Sequence, residues 1–202
     1  MTKDTLESFS NKINSKFLFD YDLKKSNWFN IGGKAKGYFK PDTLDDLVLF
    51  LKKFGEKERV FVLGAGSNIL MTDKKFDGVV IKLGRNFSNL SLLSNKIIVA
   101  GSAVTDKKLS EFAMDNNIGG FEFLSCIPGT VGGGLKINSG CFGSEFKDIL
   151  VSVQVIDKKG NIKTIPSSSI KFGYRQSPID KQLIFLSASF QGKHKKKKKK
   201  KK

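Results

Sequence analysis

Apolar residues at Leu6, Phe9 and Ile13 recur at helical spacing, so the pattern predicts a helix over Thr2 to Lys16. Thr43-Leu44-Asp45-Asp46 reads as a helix start: Thr43 can cap, and the acids suit the positive end. Leu44, Leu47, Val48 and Leu51 continue that helix. Arg59 to Leu63 is a short β-branched run, a strand, and Gly78 to Leu83 is another. Ile97 to Ala100 is a third strand, followed by a helix from Thr105 to Asn116 with Leu109, Phe112 and Ala113 on one face. Leu150 to Ile156 and Ile162 to Ile165 flank the turn signal Asp157-Lys158-Lys159-Gly160-Asn161, a predicted hairpin, and Leu183 to Phe190 is a further strand. Asn27 to Pro41 is a mixed segment with a tight turn at Ile31-Gly32-Gly33. The texture changes from Lys96, and the coarse boundary falls near Lys82 to Asn89. The expected division is therefore residues 1–83, residues 84–191 and a tail at 192–202, in an α+β or α/β chain.

Composition narrows the class. The chain has 202 residues, 39% of them hydrophobic, with 18 Phe, enough for a packed core and unlike a disordered chain. Its net charge of +17 points first to nucleic acid. However, Lys195 to Lys202 carry eight of those charges, and the rest holds 28 basic against 19 acidic residues, a balance of +9. That remainder is scattered Lys between apolar segments, a solvated surface, and the interior lacks an aromatic-basic stripe. The lysine run reads as a disordered tail or as slippage in an adenine-rich codon run. A basic tail for nucleic acid or an anionic membrane is the alternative. Cys126 and Cys141 form no CxxC pair and the sole histidine is His194, so neither a zinc site nor a Cys–His nucleophile is expected. The cysteine usage fits a reducing cytoplasm, and no run approaches the ~18 apolar residues of a membrane span.

Candidate chemistry sits in three loops. Gly64-Ala65-Gly66-Ser67-Asn68 follows a strand. Its glycines let successive N–H groups face one concavity, and Ser67 and Asn68 add donors, a combination that suits a pyrophosphate. It is neither a Walker loop nor a complete dinucleotide fingerprint, and a plain strand-to-helix turn remains the other reading. The second loop is Cys126-Ile127-Pro128-Gly129-Thr130-Val131-Gly132-Gly133-Gly134, followed by Asn138-Ser139-Gly140. A flat ring with a phosphate arm could lie on such backbone, or the stretch could be a flexible hairpin. The third is Phe172-Gly173-Tyr174-Arg175-Gln176-Ser177, where Arg175 offers a fixed fork of donors for carboxylate or phosphate.

In order, these segments resemble the UDP-N-acetylenolpyruvoylglucosamine reductases. The matching blocks are Asn30-Ile31-Gly32-Gly33 with Ala35, Leu63 to Leu70, and Phe76 to Ile81. Gly120-Phe121-Glu122-Phe123-Leu124, Ile127 to Gly133, Asn138-Ser139-Gly140, and Tyr174-Arg175 with Ser177 complete the set. The resemblance spans roughly Ser26 to Phe190. It implies a two-subdomain α+β FAD-binding fold of the vanillyl-alcohol-oxidase type. It implies a cofactor site at Gly64, Ala65, Gly66, Ser67, Asn68, Ile127, Pro128, Gly129, Thr130, Gly132, Gly133 and Asn138.

The resemblance further implies that NADPH reduces FAD, which reduces a UDP-sugar enolpyruvyl ether to UDP-N-acetylmuramate for peptidoglycan synthesis, and so for cell-wall biogenesis, shape and division. Tyr174 and Arg175 would hold substrate, with Arg175 as the catalytic residue that stabilises developing negative charge. Family members carry a further C-terminal substrate domain with a proton-donating serine and an assisting glutamate. Neither role can be placed on this sequence, so truncation and impaired turnover are expected. Cys126 stands where the family usually has glycine. The alternatives are a flavin-binding fragment without turnover, a related flavin oxidase, and a basic nucleic-acid binder, which ranks last.

Overall fold

The computed structural model describes residues 3–94 and 96–194. Its first half contains α1 (Lys3–Ser10), β1 (Lys16–Asp22), β2 (Lys34–Lys40), α2 (Leu44–Phe54), β3 (Val60–Val62) and β4 (Phe76–Ile81). These strands form a sheet in the order β1-β2-β4-β3; β1 and β2 are antiparallel, and β4 runs parallel to both β2 and β3. The second half contains β5 (Leu90–Ser94), β6 (Ile97–Gly101), α3 (Asp106–Asp115), β7 (Ile118–Gly119), α4 (Val131–Ile137), β8 (Gly140–Cys141), β9 (Ser144–Glu145) and α5 (Phe146–Ile149). It then continues with β10 (Leu150–Ile156), β11 (Ile162–Pro166), β12 (Ile184–Gln191) and β13 (Lys193–His194). Its main sheet is antiparallel, in the order β11-β10-β12-β6-β5.

Side-chain alternation gives the first sheet two faces. Phe39, Val79 and Ile81 face α1 and α2, where they meet Leu6, Phe9, Phe50 and Phe54. Tyr38 and Val80, one residue out of step, join Leu23, Ala35 and Leu63 on the other face. The rings of Phe9, Phe39, Phe50 and Phe54 pack edge-on or tilted, with centroids 5.0–6.1 Å apart for the pairs Phe9–Phe39, Phe9–Phe50, Phe9–Phe54, Phe39–Phe50 and Phe50–Phe54. Ile156, Ile184 and Leu186 of the second sheet belong to this same cluster. The core therefore continues across the two halves and fixes how their loops meet.

The expected helix over Thr2 to Lys16 stops at Ser10. The Ser15 hydroxyl donates to the Asp46 carboxylate and accepts from the Asp42 N–H at 2.8 Å, which pulls the chain off the helix axis. Lys16 then opens β1, a strand the sequence reading missed. The capped helix start is as expected: Thr43 accepts from the Asp46 N–H at 3.1 Å. The tail expected at 192–202 is corrected at its start. The Gly192 N–H donates to Lys96 O at 2.9 Å, and Lys193–His194 pairs with Ile118–Gly119. Residues 195–202, with the lysine run, lie outside the described residues.

Replacing Phe50 with Ala, a fully buried ring shared by both halves' cluster, should cost about 3–5 kcal/mol in urea denaturation.

Candidate functional site

The first glycine loop leaves the end of β3, where the Leu63 N–H bonds Ile81 O at 2.8 Å. Its shape is imposed by the neighbouring segment 26–31. The Asn27 side chain donates to Leu23 O and Ile31 O, both at 2.8 Å, and the Trp28 N–H donates to Gly66 O at 3.0 Å. Gly66 has φ +74°, and a side chain there would start 2.3 Å from Ser26 O, so the position requires glycine on two counts. Among the described residues, the N–H groups of Gly64, Ala65, Gly66, Ser67 and Asn68 donate to no protein acceptor. Five consecutive donors on a braced turn are thus left available to a ligand.

The second glycine loop is not a free hairpin. Its first part lies along residues 102–106: Asp106 N–H to Gly129 O at 3.2 Å, Val131 N–H to Val104 O at 2.9 Å, and Gly132 N–H to Ser102 O at 2.9 Å. From Val131 the chain turns into α4, through three glycines that a propensity scale would disfavour. Tertiary packing overrides propensity: a side chain on Gly134 would begin 2.2 Å from the Phe146 ring, so only glycine lets the helix sit there.

The two loops meet. A methyl group on Gly64 would stand 2.7 Å from Thr130 Oγ1 and 4.0 Å from Gly133 Cα. Gly64 and Thr130–Gly133 therefore border one another, and Gly64, Ala65, Ser67, Gly129 and Gly132 are all half-buried. Pro128 and Gly133 are exposed, while Ile127 packs its side chain partly onto the second-half core. Among the described residues, buried polar atoms without partners lie along the second loop: Ser102 Oγ beside Gly132, both Asp106 carboxylate oxygens beside Gly129, and Ser139 Oγ beside Gly134. Backbone donors without protein partners, beside glycines and unsatisfied buried polar groups, fit a dinucleotide cofactor.

The chain was compared with known proteins. A family model described as FAD binding domain matches residues 35–166, more than half of the chain. The chain belongs to this family. It is 66% identical over 195 residues to the UDP-N-acetylenolpyruvoylglucosamine reductase of Pelagibacter ubique (strain HTCC1062), an alignment covering 96% of this chain and 65% of that protein. Among solved structures it is similar to the UDP-N-acetylenolpyruvylglucosamine reductase (MurB) from Thermus caldophilus. The TM-score is 0.77 at 26% identity, covering 91% of this chain and 64% of that one. An alkyldihydroxyacetonephosphate synthase shares the fold at TM-score 0.69 and 11% identity, over 96% of this chain and 41% of that one. The fold is the two-subdomain α+β FAD-binding fold expected, and this member of the FAD binding domain family spans just under two thirds of its relatives' length. Among the described residues no helix is long and apolar enough to cross a membrane, and no cluster of His, Cys, Asp and Glu could hold a metal ion.

Tyr174 and Arg175 form the tip of a two-residue turn closed by reciprocal hydrogen bonds of 3.1 Å between Gly173 and Gln176. Both are exposed. Arg175 adopts φ +54° with its guanidinium 5.7 Å from the Tyr174 ring centroid. Asn138, expected to touch the cofactor, is fully buried, and its amide is otherwise engaged. Both of its amide protons are used, on Glu145 Oε2 and Gly173 O at 3.0 Å each, while its oxygen accepts the Lys147 N–H at 3.0 Å. Asn138 thus ties the Tyr174–Arg175 turn to the C-terminal end of α4. Lys147, 2.6 Å from Glu145, holds that carboxyl below its usual range, and Arg175 adds to the effect from farther away.

Asp106, Asn27 and Ser102 were not picked out from sequence. Asp106 looks like any first-turn acid after a capping Thr105, and nothing local announces that its carboxyl is buried against Gly129. Burial pushes that carboxyl up to about 7.

Two outcomes follow from this geometry. Asn138 has φ +45°, so Asn138→Gly keeps the backbone and removes only the bracket. Cleavage after Arg175 by an arginine-specific protease should then speed up about tenfold relative to cleavage after Arg59 and Arg85, as expected for losing one or two net hydrogen bonds. Between its ordinary value near 4 and about 7, the native Asp106 carboxyl binds protons that the unfolded chain releases. Its contribution to stability therefore falls as pH rises through that window, by up to about 1.4 kcal/mol per pH unit, and is level above it. Comparing urea midpoints of wild type and Asp106→Asn across that range should show the slope in wild type only.

Proposed function

We propose that this chain binds FAD at the junction of its two glycine loops and serves NADPH-dependent reduction of a UDP-sugar enolpyruvyl ether to UDP-N-acetylmuramate. That would be a cytoplasmic step of peptidoglycan synthesis. The observation that carries the reading is the approach of Gly64 to Thr130 and Gly133 beside five open backbone donors. Residues 1–83 and 84–191 would be the two subdomains. The Gly64 to Asn68 amides, which have no acceptor among the described residues, would hold the pyrophosphate. Ile127, Pro128, Gly129, Thr130, Gly132 and Gly133 would flank the ring system. When bound, FAD supplies hydride transfer.

The residues of this chain do the remaining work. Arg175, held on a turn by Asn138, would present its guanidinium to the substrate carboxylate and stabilise negative charge as it develops beside the enol carbon. Tyr174 would offer its exposed ring to the same substrate. The 66% identity to a named reductase and the Tyr174-Arg175 pair favour this chemistry over that of a related oxidase. Because the chain spans 65% of that relative, a second reading is FAD binding without turnover.

An absorbance spectrum of purified protein, with and without added FAD, tests the site. Flavin bands should persist through desalting. In Gly64→Val, whose side chain would press on the Thr130 hydroxyl and displace the two loops from one another, affinity should drop at least about tenfold with the circular dichroism unchanged. Protein that stays colourless at saturating FAD would sink the reading. NADPH oxidation that depends on the UDP-sugar enolpyruvyl ether separates the reductase from the binding-only reading.

A further inference from the structure

The two cysteines, separate in sequence and in no recognised motif, are brought together by the fold. Cys126 ends the 3-10 turn Glu122–Cys126, and Cys141 ends β8, which packs on that turn. The Cys126 thiol donates to Phe123 O at 3.1 Å, and the packing of β8 on the turn brings Cys141 alongside, where it is the main influence that pushes the Cys126 thiol up. Cys126 is exposed to reagents, whereas Cys141 is half-buried against the second-half core. Together they stand at the two ends of the segment that carries Gly129 to Gly133 and Asn138. We propose that Cys126 and Cys141 form a redox-active dithiol, a modification site that closes to an intramolecular disulfide by exchange with a small disulfide such as oxidised glutathione.

The exchange balances with that reagent alone. A thiolate of one cysteine attacks the reagent's S–S bond, forming a mixed disulfide and releasing one small thiolate, which takes up a proton. The second cysteine gives up its proton and attacks the mixed disulfide, forming the internal S–S bond and releasing the second small thiol. Two protein thiols are oxidised and one reagent disulfide is reduced to two thiols. The preformed contact makes the second step intramolecular, so it outruns capture of a second reagent molecule. Cys141 beside it pushes the Cys126 thiol up, so less of it is thiolate at neutral pH and exchange is faster in mild alkali. The crosslink would tie the turn before Ile127 to β8 and constrain the loop between them.

The proposal is independent of flavin binding and is tested on the folded full chain by mass spectrometry and thiol titration. With oxidised glutathione, wild type should lose both of its thiols and two hydrogen masses, with no glutathione attached. Cys126→Ser and Cys141→Ser should each stop at one mixed disulfide, and dithiothreitol should reverse all three. Wild type that retains two thiols, accumulates glutathione adducts on both cysteines, or crosslinks only between chains on a non-reducing gel overturns it.

Discussion

The site depends on a close approach that only a glycine at position 64 permits. Gly64 lies just beyond β3, and Thr130 to Gly133 leads into α4 in the second half; a Cβ on Gly64 would stand 2.7 Å from the Thr130 hydroxyl and 4.0 Å from Gly133 Cα. The two segments can come this near only where that Cβ is missing. What holds them there is remote. Ile156, Ile184 and Leu186 of the second sheet pack with Phe50, Phe54 and Phe39 of the first half, so the relative position of the loops is set by a shared hydrophobic core. A change in that cluster would reach the site without touching it.

Around the junction, the polar groups divide into those spent on structure and those left open. Asn27 and Asn138 are buried, and each spends both amide protons on backbone or carboxylate acceptors, one bracing the first loop and the other the Tyr174–Arg175 turn. The backbone donors of residues 64–68, the hydroxyls of Ser102 and Ser139, and the Asp106 carboxyl have no protein partner. For the buried ones among them, the Ser102 and Ser139 hydroxyls and the Asp106 carboxyl, lacking a partner costs about 1–3 kcal/mol each. A ligand that satisfies them would recover much of that cost, which is why their clustering at one junction points to a binding site.

Much of the fold was legible because its signals are local. The Thr43 cap, the Leu44 to Leu51 stripe, the Leu150–Ile156 strand and its Asp157–Asn161 turn all follow from periodicity and capping. The errors came from tertiary competition. Ser15, bonded to Asp46 and Asp42, cut the first helix short, and pairing with Ile118 and Gly119 drew Lys193 and His194 out of the supposed tail. The second glycine stretch became a helix because Phe146 gave it a seat. The Asn138 side chain is spent on bracing the Gly173 turn, which no spacing rule could reveal.

By itself the sequence determined where the chain can bend, which faces are apolar, and which residues carry donors suited to phosphate and carboxylate. The ordered glycine blocks and Tyr174-Arg175 were enough to indicate the family. Only the tertiary structure decided that Gly64 meets Thr130, that Asp106 is buried with no partner, that Asn138 holds Arg175 in place, and that Cys126 faces Cys141. The reason is physical: backbone preference and periodicity act over a few residues, whereas burial and close approach depend on which distant segments the shared core brings together.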